Sequence, residues 1–217
     1  MTDSFSETLR QASQPAWDEA VRHRFVQELG AGTIADGVMA GYLIQDYRFL
    51  DSFLALLGAA LATADTLPAK LRLGQALGFI CGPENTYFER AFAALGVDEA
   101  ARLAPPDTAP TAGFKAIMRE AAASRSYGAA LSVLCVAEWL YLDWASAAPR
   151  PLPATFVHAE WITLHDNEGF RDFVAFLRHE LDRVGPAEAT LNRDLFVRAV
   201  RLEQEFLDAA YPDLGRT

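Results

Sequence analysis

Three carboxylates stand where the helical period calls for apolar side chains. Asp46 falls within the stripe Met39, Tyr42, Phe49, Leu50 and Phe53. Glu138 is the only acid between Gly128 and Leu142, a segment apolar on all sides, which is the pattern of a central helix. Glu203 interrupts Leu195, Ala199, Leu202, Phe206 and Ala210, while Glu205 shares the opposite face with Arg198, Arg201 and Asp208. A buried carboxylate must be paired, solvated or protonated. Separate salt bridges would satisfy the three, and Arg48, on the same helix as Asp46, is the main cation for that purpose. Basic residues on the apolar stripes are otherwise scarce, so three inward acids fit one polar pocket better. Crowded carboxylates push their pKa values apart, which sets a proton donor beside a base at neutral pH.

Helices must position these groups. Apolar residues recur at three- and four-residue spacing almost throughout, broken by Gly, Pro and Asp, and no segment reads clearly as strand. The spacing predicts a helical stretch over 6–21 interrupted at Pro15, a short helix over 24–31, and a long one over 36–64 with Asp36 as N-cap. Residues 68–95 read as one helix kinked at Gly82-Pro83. The segment 97–110, with Pro105-Pro106-Asp107, reads as the longest loop. Helices follow over 112–123, 127–147, 154–164, 167–184 and 192–210. No repeat or linker divides the chain, so residues 1–217 read as a single all-α domain, a helical bundle.

Composition limits the partners. The chain has 217 residues, 51% of them hydrophobic, enough to bury a substantial core. A net charge of −10 without a Lys or Arg run argues against nucleic acid as partner. No uninterrupted apolar run reaches bilayer-spanning length, and the polar start Met1-Thr2-Asp3-Ser4 does not read as a secretory signal. No membrane partner is expected, and the cytoplasm is the expected compartment. Cys81 and Cys135 form no disulfide framework or metal-ligand spacing. The four histidines lack the Glu-x-x-His pairing of di-metal bundles, so no metal or cofactor is expected.

The acids lie in segments that resemble the TenA family of helical hydrolases. The first block is Trp17…His23-Arg24-Phe25, Gly32-Thr33-Ile34 and Tyr42-Leu43-Ile44-Gln45-Asp46-Tyr47-Arg48-Phe49-Leu50. Glu138-Trp139-Leu140-Tyr141 and Glu203-Gln204-Glu205-Phe206 followed by Ala209-Ala210-Tyr211 make the later blocks. The resemblance covers nearly the whole chain. It implies a haem-oxygenase-like fold, a homotetramer, and hydrolysis of a thiamine-related aminopyrimidine at its methylene carbon. It further implies that Asp46 holds the aminopyrimidine edge, Glu203 is the acid/base, and Tyr141 lines the pocket.

One departure concerns the nucleophile. The well-known branch has a cysteine two residues before the central Trp, where this chain has Ala137. Cys135 is two residues away, a turn of about 200° along a helix, and reads as a small buried hydrophobe. The pattern resembles the branch without the cysteine, in which a glutamate takes over, and Glu138, one turn before Tyr141, is the candidate. Phe49, Phe114 and His165 stand where the cysteine branch has pocket tyrosines. Such losses point from thiamine towards an amino- or formylaminopyrimidine. Tyr42, Phe53, Trp139, Trp144 and Phe206 could stack a flat ring or serve the core. His23 reads as structural. A haem-type redox protein and a non-catalytic ligand-binding or regulatory protein are the competing functions for such a scaffold.

Overall fold

The computed structural model describes residues 3–211. Residues 1–2 and 212–217, including Met1 and Thr2 of the polar start and both ends of the expected 1–217 domain, lie outside the described residues. Twelve α-helices run along this part of the chain, with no strand among the described residues.

The first helices are α1 (Phe5–Ala12), α2 (Ala16–Val21) and α3 (Arg24–Ala31). Pro15 separates the first two, as its position predicts. The expected structural role of His23 is borne out. Its Nδ1 accepts from the Phe25 N–H at the start of α3, and its Nε2 meets Asp208 at 3.1 Å. Helix α4 (Asp36–Thr63) begins one residue earlier in its capping than expected. Ala35 is the N-cap, without a side-chain bond, and Asp36 lies in the first turn, where its charge favours the helix dipole.

Residues 67–94 form two helices, α5 (Leu67–Phe79) and α6 (Asn85–Ala94), joined by a single π turn at Ile80–Glu84. Pro83, inside that turn, has no N–H to continue an α-helical ladder. The expected loop over 97–110 contains α7 (Glu99–Leu103), because Asp98 caps it by accepting from the Ala101 N–H at 2.7 Å. Helix α8 (Ala109–Ala123) starts earlier than its periodicity implies, with Pro110 tolerated in its first turn.

Helix α9 (Tyr127–Ser146) is the centre of the bundle and packs against α4, α8, α11 and α12. By length and composition alone it could cross a membrane, yet 78% of its most apolar window is buried inside the protein. This is the core helix that its all-round apolarity predicts. Gly128 lets α9 approach α12 closely: a Cβ there would lie 2.8 Å from Asn192 Nδ2. Helices α10 (Phe156–Leu164), α11 (Glu168–Val184) and α12 (Ala189–Ala209) complete the chain, and a 3-10 turn at Gly185–Glu188 brings in α12 three residues before its expected start.

Candidate active site

Five helices and the π turn converge on one acidic cavity. It is lined by Asp46, Phe49, Leu50 and Phe53 of α4, Met118 of α8, and Ala137, Glu138 and Tyr141 of α9. Trp161, His165, Glu203 and Glu84 close it. Asp46, Glu138 and Glu203 are only 4%, 9% and 3% exposed. Arg48, the cation that could have neutralised Asp46, is engaged elsewhere. Its Nε donates to Asp107 Oδ1 at 2.7 Å and its Nη1 to the Arg102 carbonyl at 3.1 Å. Lys115 Nζ holds the other oxygen of Asp107 at 2.7 Å, so both cations secure the 104–108 segment instead.

Among the described residues, Glu84, Glu138 and Glu203 have no cation or side-chain hydrogen-bond partner. Asp46 has a weak one: the Tyr141 hydroxyl donates to it at 3.4 Å. Burial, then the charge of Glu84, holds the Asp46 carboxyl well above its ordinary range, and the Tyr141 bond opposes this only in part. Burial likewise raises Glu138, helped by Glu84 and Asp46, and raises Glu203, helped by Asp46 and Glu138. The acids therefore feel one another across a shared space, and protons are retained there near neutral pH.

Glu84 is the acid that sequence reasoning missed. It is half-buried, and burial pushes its carboxyl up to about 7. The π turn displaces it from any regular stripe, so periodicity could not reveal it. The available signal was an acid directly after Gly82-Pro83 within a helical run, since π turns occur often at functional sites.

The remaining predicted residues divide between wall and support. Tyr42 lies behind the wall and shares a 2.6 Å hydroxyl–hydroxyl bond with Tyr141. If Tyr141 donates to Asp46, it must accept from Tyr42, which makes a directed chain from Tyr42 to the carboxylate. Phe49 lines the cavity, while Phe114 and Phe206 pack against it at ring separations of 5.6 and 5.5 Å without lining it themselves. His165 lines the cavity, and its Nδ1 donates to the Trp161 carbonyl at 2.8 Å. Burial lowers its pKa to about 4, so the ring is neutral with Nε2 unprotonated, an acceptor where a tyrosine would be a donor.

Of the other aromatics, Phe53 lines the cavity and Trp144 packs behind Tyr141. Trp139 faces away, between Trp17 and the guanidinium of Arg178, which sits 3.7 Å above its ring. Cys135 is fully buried outside the cavity, and burial pushes its thiol up. Ala137, by contrast, is part of the wall.

An all-helical bundle with acids unpaired by any cation and aromatic rings around one half-open cavity defines the class: a helical bundle with an acidic internal site. The pattern of the TENA/THI-4/PQQC family matches residues 10–213, and the chain belongs to that family. It is 24% identical over 216 residues to the aminopyrimidine aminohydrolase of Halalkalibacterium halodurans, covering 96% of each chain. To the aminopyrimidine aminohydrolase of Bacillus subtilis it is 23% identical, covering 95% of this chain and 85% of the relative. The solved TenA homologue of P. horikoshii OT3 superposes with a TM-score of 0.87 at 19% identity, covering 97% of this chain and 99% of that one. A solved structure from Silicibacter sp. TM1040, described as a TenA family transcription regulator, gives 0.83 at 20% identity, covering 95% and 96%.

Proposed function

We propose that this chain hydrolyses the exocyclic C–N bond of a thiamine-derived aminopyrimidine, as an aminohydrolase of thiamine salvage. The observation that carries this reading is the gathering of Asp46, Glu138 and Glu203 around one cavity with no cation to neutralise them. The names of the full-length relatives support the same substrate class.

In this reading Asp46 meets the amino group and ring nitrogen of the pyrimidine, held in place by Tyr141 and Tyr42 behind it. Its retained proton can be shared with the ring nitrogen, which draws electrons from the ring. Phe49 and Phe53 flank the ring, with Phe206 and Phe114 supporting Phe49. His165 Nε2 accepts a hydrogen bond from the substrate. Glu138 takes a proton from water as the water oxygen bonds to the methylene carbon. The C–N electron pair leaves on nitrogen, which takes a proton from Glu203. A carboxylate is a weaker nucleophile than a thiolate, so the base role suits Glu138 better than covalent attack. The wall position of Ala137, where the cysteine branch has its thiol, supports this division.

The chain is proposed to act as one domain in a cytoplasmic homotetramer, with no nucleic-acid or membrane partner. Two free cysteines, Cys81 and Cys135, are in keeping with a reducing compartment. Exposed Leu67 and Leu71, one turn apart on α5, offer apolar surface for a subunit contact. The deciding experiment incubates the protein with the aminomethyl- and formylaminomethyl-pyrimidines and with thiamine, and detects the hydroxymethylpyrimidine by mass spectrometry. Formation of that product from the first two is expected. Tight binding without product would favour the regulatory reading instead.

A further inference from the structure

Glu84 has no part in the hydrolysis set out above, yet it stands where two spaces meet. It lines the acidic cavity with Asp46, Glu138 and Glu203. It also lines a second cavity of about 250 Å³, between α5, the π turn and the start of α11. Among the described residues, Glu138 is the only other one on both walls. The second cavity reaches the surface past exposed Gln75 and Phe79, and its volume admits several water molecules. Of the four acids, half-buried Glu84 is the most exposed.

Local structure holds Glu84 at this junction. Pro83 directly precedes it in the π turn, and Thr86 Oγ1 donates to the Gly82 carbonyl at 2.9 Å. The Tyr47 hydroxyl donates to Asn85 Oδ1 at 3.2 Å. That bond ties the residue after Glu84 to the turn of α4 that carries Asp46. No cation neutralises Glu84. Arg72, across the outer cavity, donates to the Gly169 carbonyl at 3.1 Å and lies 5.7 Å from the Phe173 ring. The other groups around the two cavities are Asp46 from α4, Glu138 and Tyr141 from α9, Glu203 from α12 and neutral His165. Asp46 and Glu138 both feel the charge of Glu84. With its carboxyl raised to about 7 by burial, both of its protonation states are populated near neutral pH.

Hydrolysis leaves the inner acids in the wrong state for a second cycle. Glu138 ends with the proton taken from water, and Glu203 ends without the proton given to nitrogen. Both are nine-tenths buried or more. We infer that Glu84 is the proton port of the site: between turnovers it takes the proton from Glu138, exchanges it with water in the outer cavity, and returns one towards Glu203. The inference rests on the hydrolase reading and extends it to the resetting of the site. One O–H bond on Glu138 is broken and one on Glu203 is made, so the proton count returns to its starting value. Glu84 itself takes no part in cleaving the C–N bond.

The test follows hydroxymethylpyrimidine formation from the aminomethylpyrimidine by rapid mixing, from the first turnover into the steady state. The native protein should show no slowing after the first equivalent. Glu84→Gln should form its first equivalent at close to the native rate and then slow by about tenfold or more. Glu84→Asp should keep most of the steady-state rate. Glu84→Ala should show the same slow phase as Glu84→Gln. It leaves room beside Glu138, so added imidazole should restore its later turnovers. Equal slowing of the first and later turnovers in Glu84→Gln or Glu84→Ala overturns the port. So does an unchanged steady-state rate, or a slow phase in Glu84→Ala that imidazole does not relieve. A native protein that forms no product removes the hydrolase reading itself, and the port with it.

Discussion

Glu203 and Glu180 are nearly equally buried, at 3% and 6% exposure, and have opposite electrostatics. Glu180, on α11, accepts from the Tyr127 hydroxyl at 3.0 Å and from Arg183 Nε and Nη2 at 3.1 and 2.7 Å. The Arg183 bonds hold its carboxyl below the ordinary range. Glu203 has no such partner, and burial beside Asp46 and Glu138 holds it well above that range. Burial alone therefore does not mark a functional acid. What separates the two regions is whether the surrounding helices supply a cation. On α11 they do, and the acid contributes to stability. Around the cavity they do not, and the acids share protons that one can give and another take.

The largest expected effect comes from removing the group that gives the proton or the group that takes it. Glu203→Gln and Glu138→Gln should each lower kcat by about 10²–10⁴-fold and leave pyrimidine binding nearly intact. Asp46→Asn should act mainly on binding, seen as a raised KM or Kd, because the amide cannot replace the acid at the ring edge. The stability effect should have the reverse sign to a usual core lesion. A carboxyl whose pKa is raised on folding contributes stability below its unfolded pKa and loses it as pH rises towards the folded value. At pH 8 the native protein bears that loss and Glu203→Gln does not, so its Tm should rise by on the order of 2–4 °C. Thermal scans at pH 8 in which Glu203→Gln melts lower than the native protein would break the comparison.

Glu180→Gln should show the opposite pairing of effects. It weakens charge-assisted bonds to a partly exposed Arg183, so a loss of about 1–2 kcal/mol is expected, with kcat unchanged. Because the Glu180 pKa is lowered on folding, its contribution is present above the unfolded pKa and lost as pH falls through the folded value. In chemical denaturation the native and Glu180→Gln proteins should thus differ at pH 7 and converge as the pH is lowered towards 3. A large fall in kcat would place Glu180 with the catalytic acids.

Glu84 sharpens the comparison on a pH axis. Its carboxyl is raised to about 7, so its contribution to stability falls as pH rises from about 4.5 to about 7 and levels off above that. The Tm of the native protein should decline across that window relative to Glu84→Gln. Parallel Tm profiles for the two proteins would show that Glu84 titrates as an ordinary exposed acid.

The two regions also differ in how far the sequence reveals them. Asp46, Glu138 and Glu203 are legible because each breaks an apolar stripe of a regular helix, and a 3.6-residue period makes such a break visible. Glu84 is not, because the π turn shifts the phase of the chain between α5 and α6. Helix α7 escapes for a related reason. Pro105-Pro106 dominates its neighbourhood, although Asp98 three residues ahead of Ala101 carried the capping signal. The supporting role of Tyr42 lies beyond periodicity too, since its bond to Tyr141 joins two helices far apart in sequence. Pairing is the least legible property of all. Arg48 lies on the same helix as Asp46 and is the obvious partner on paper, yet the fold sends it to Asp107.

The smallest expected effect tests the same distinction on α9 itself. Cys135 and Ala137 are two residues apart, and only Ala137 reaches the cavity. Cys135 is enclosed, and its thiol is held in the protonated form by burial; a nucleophile needs the opposite. Cys135→Ala should keep kcat and KM within about twofold and lose about 1 kcal/mol of stability through packing. Ala137→Cys offers the complementary readout, because a thiol there would stand in the wall with the acids. Labelling by a small alkylating reagent under native conditions should then appear in Ala137→Cys and be protected by bound pyrimidine, while Cys135 in the native protein stays unmodified. Rapid labelling of Cys135, or a large loss of activity in Cys135→Ala, would move the reactive face of α9 to the other side of the helix.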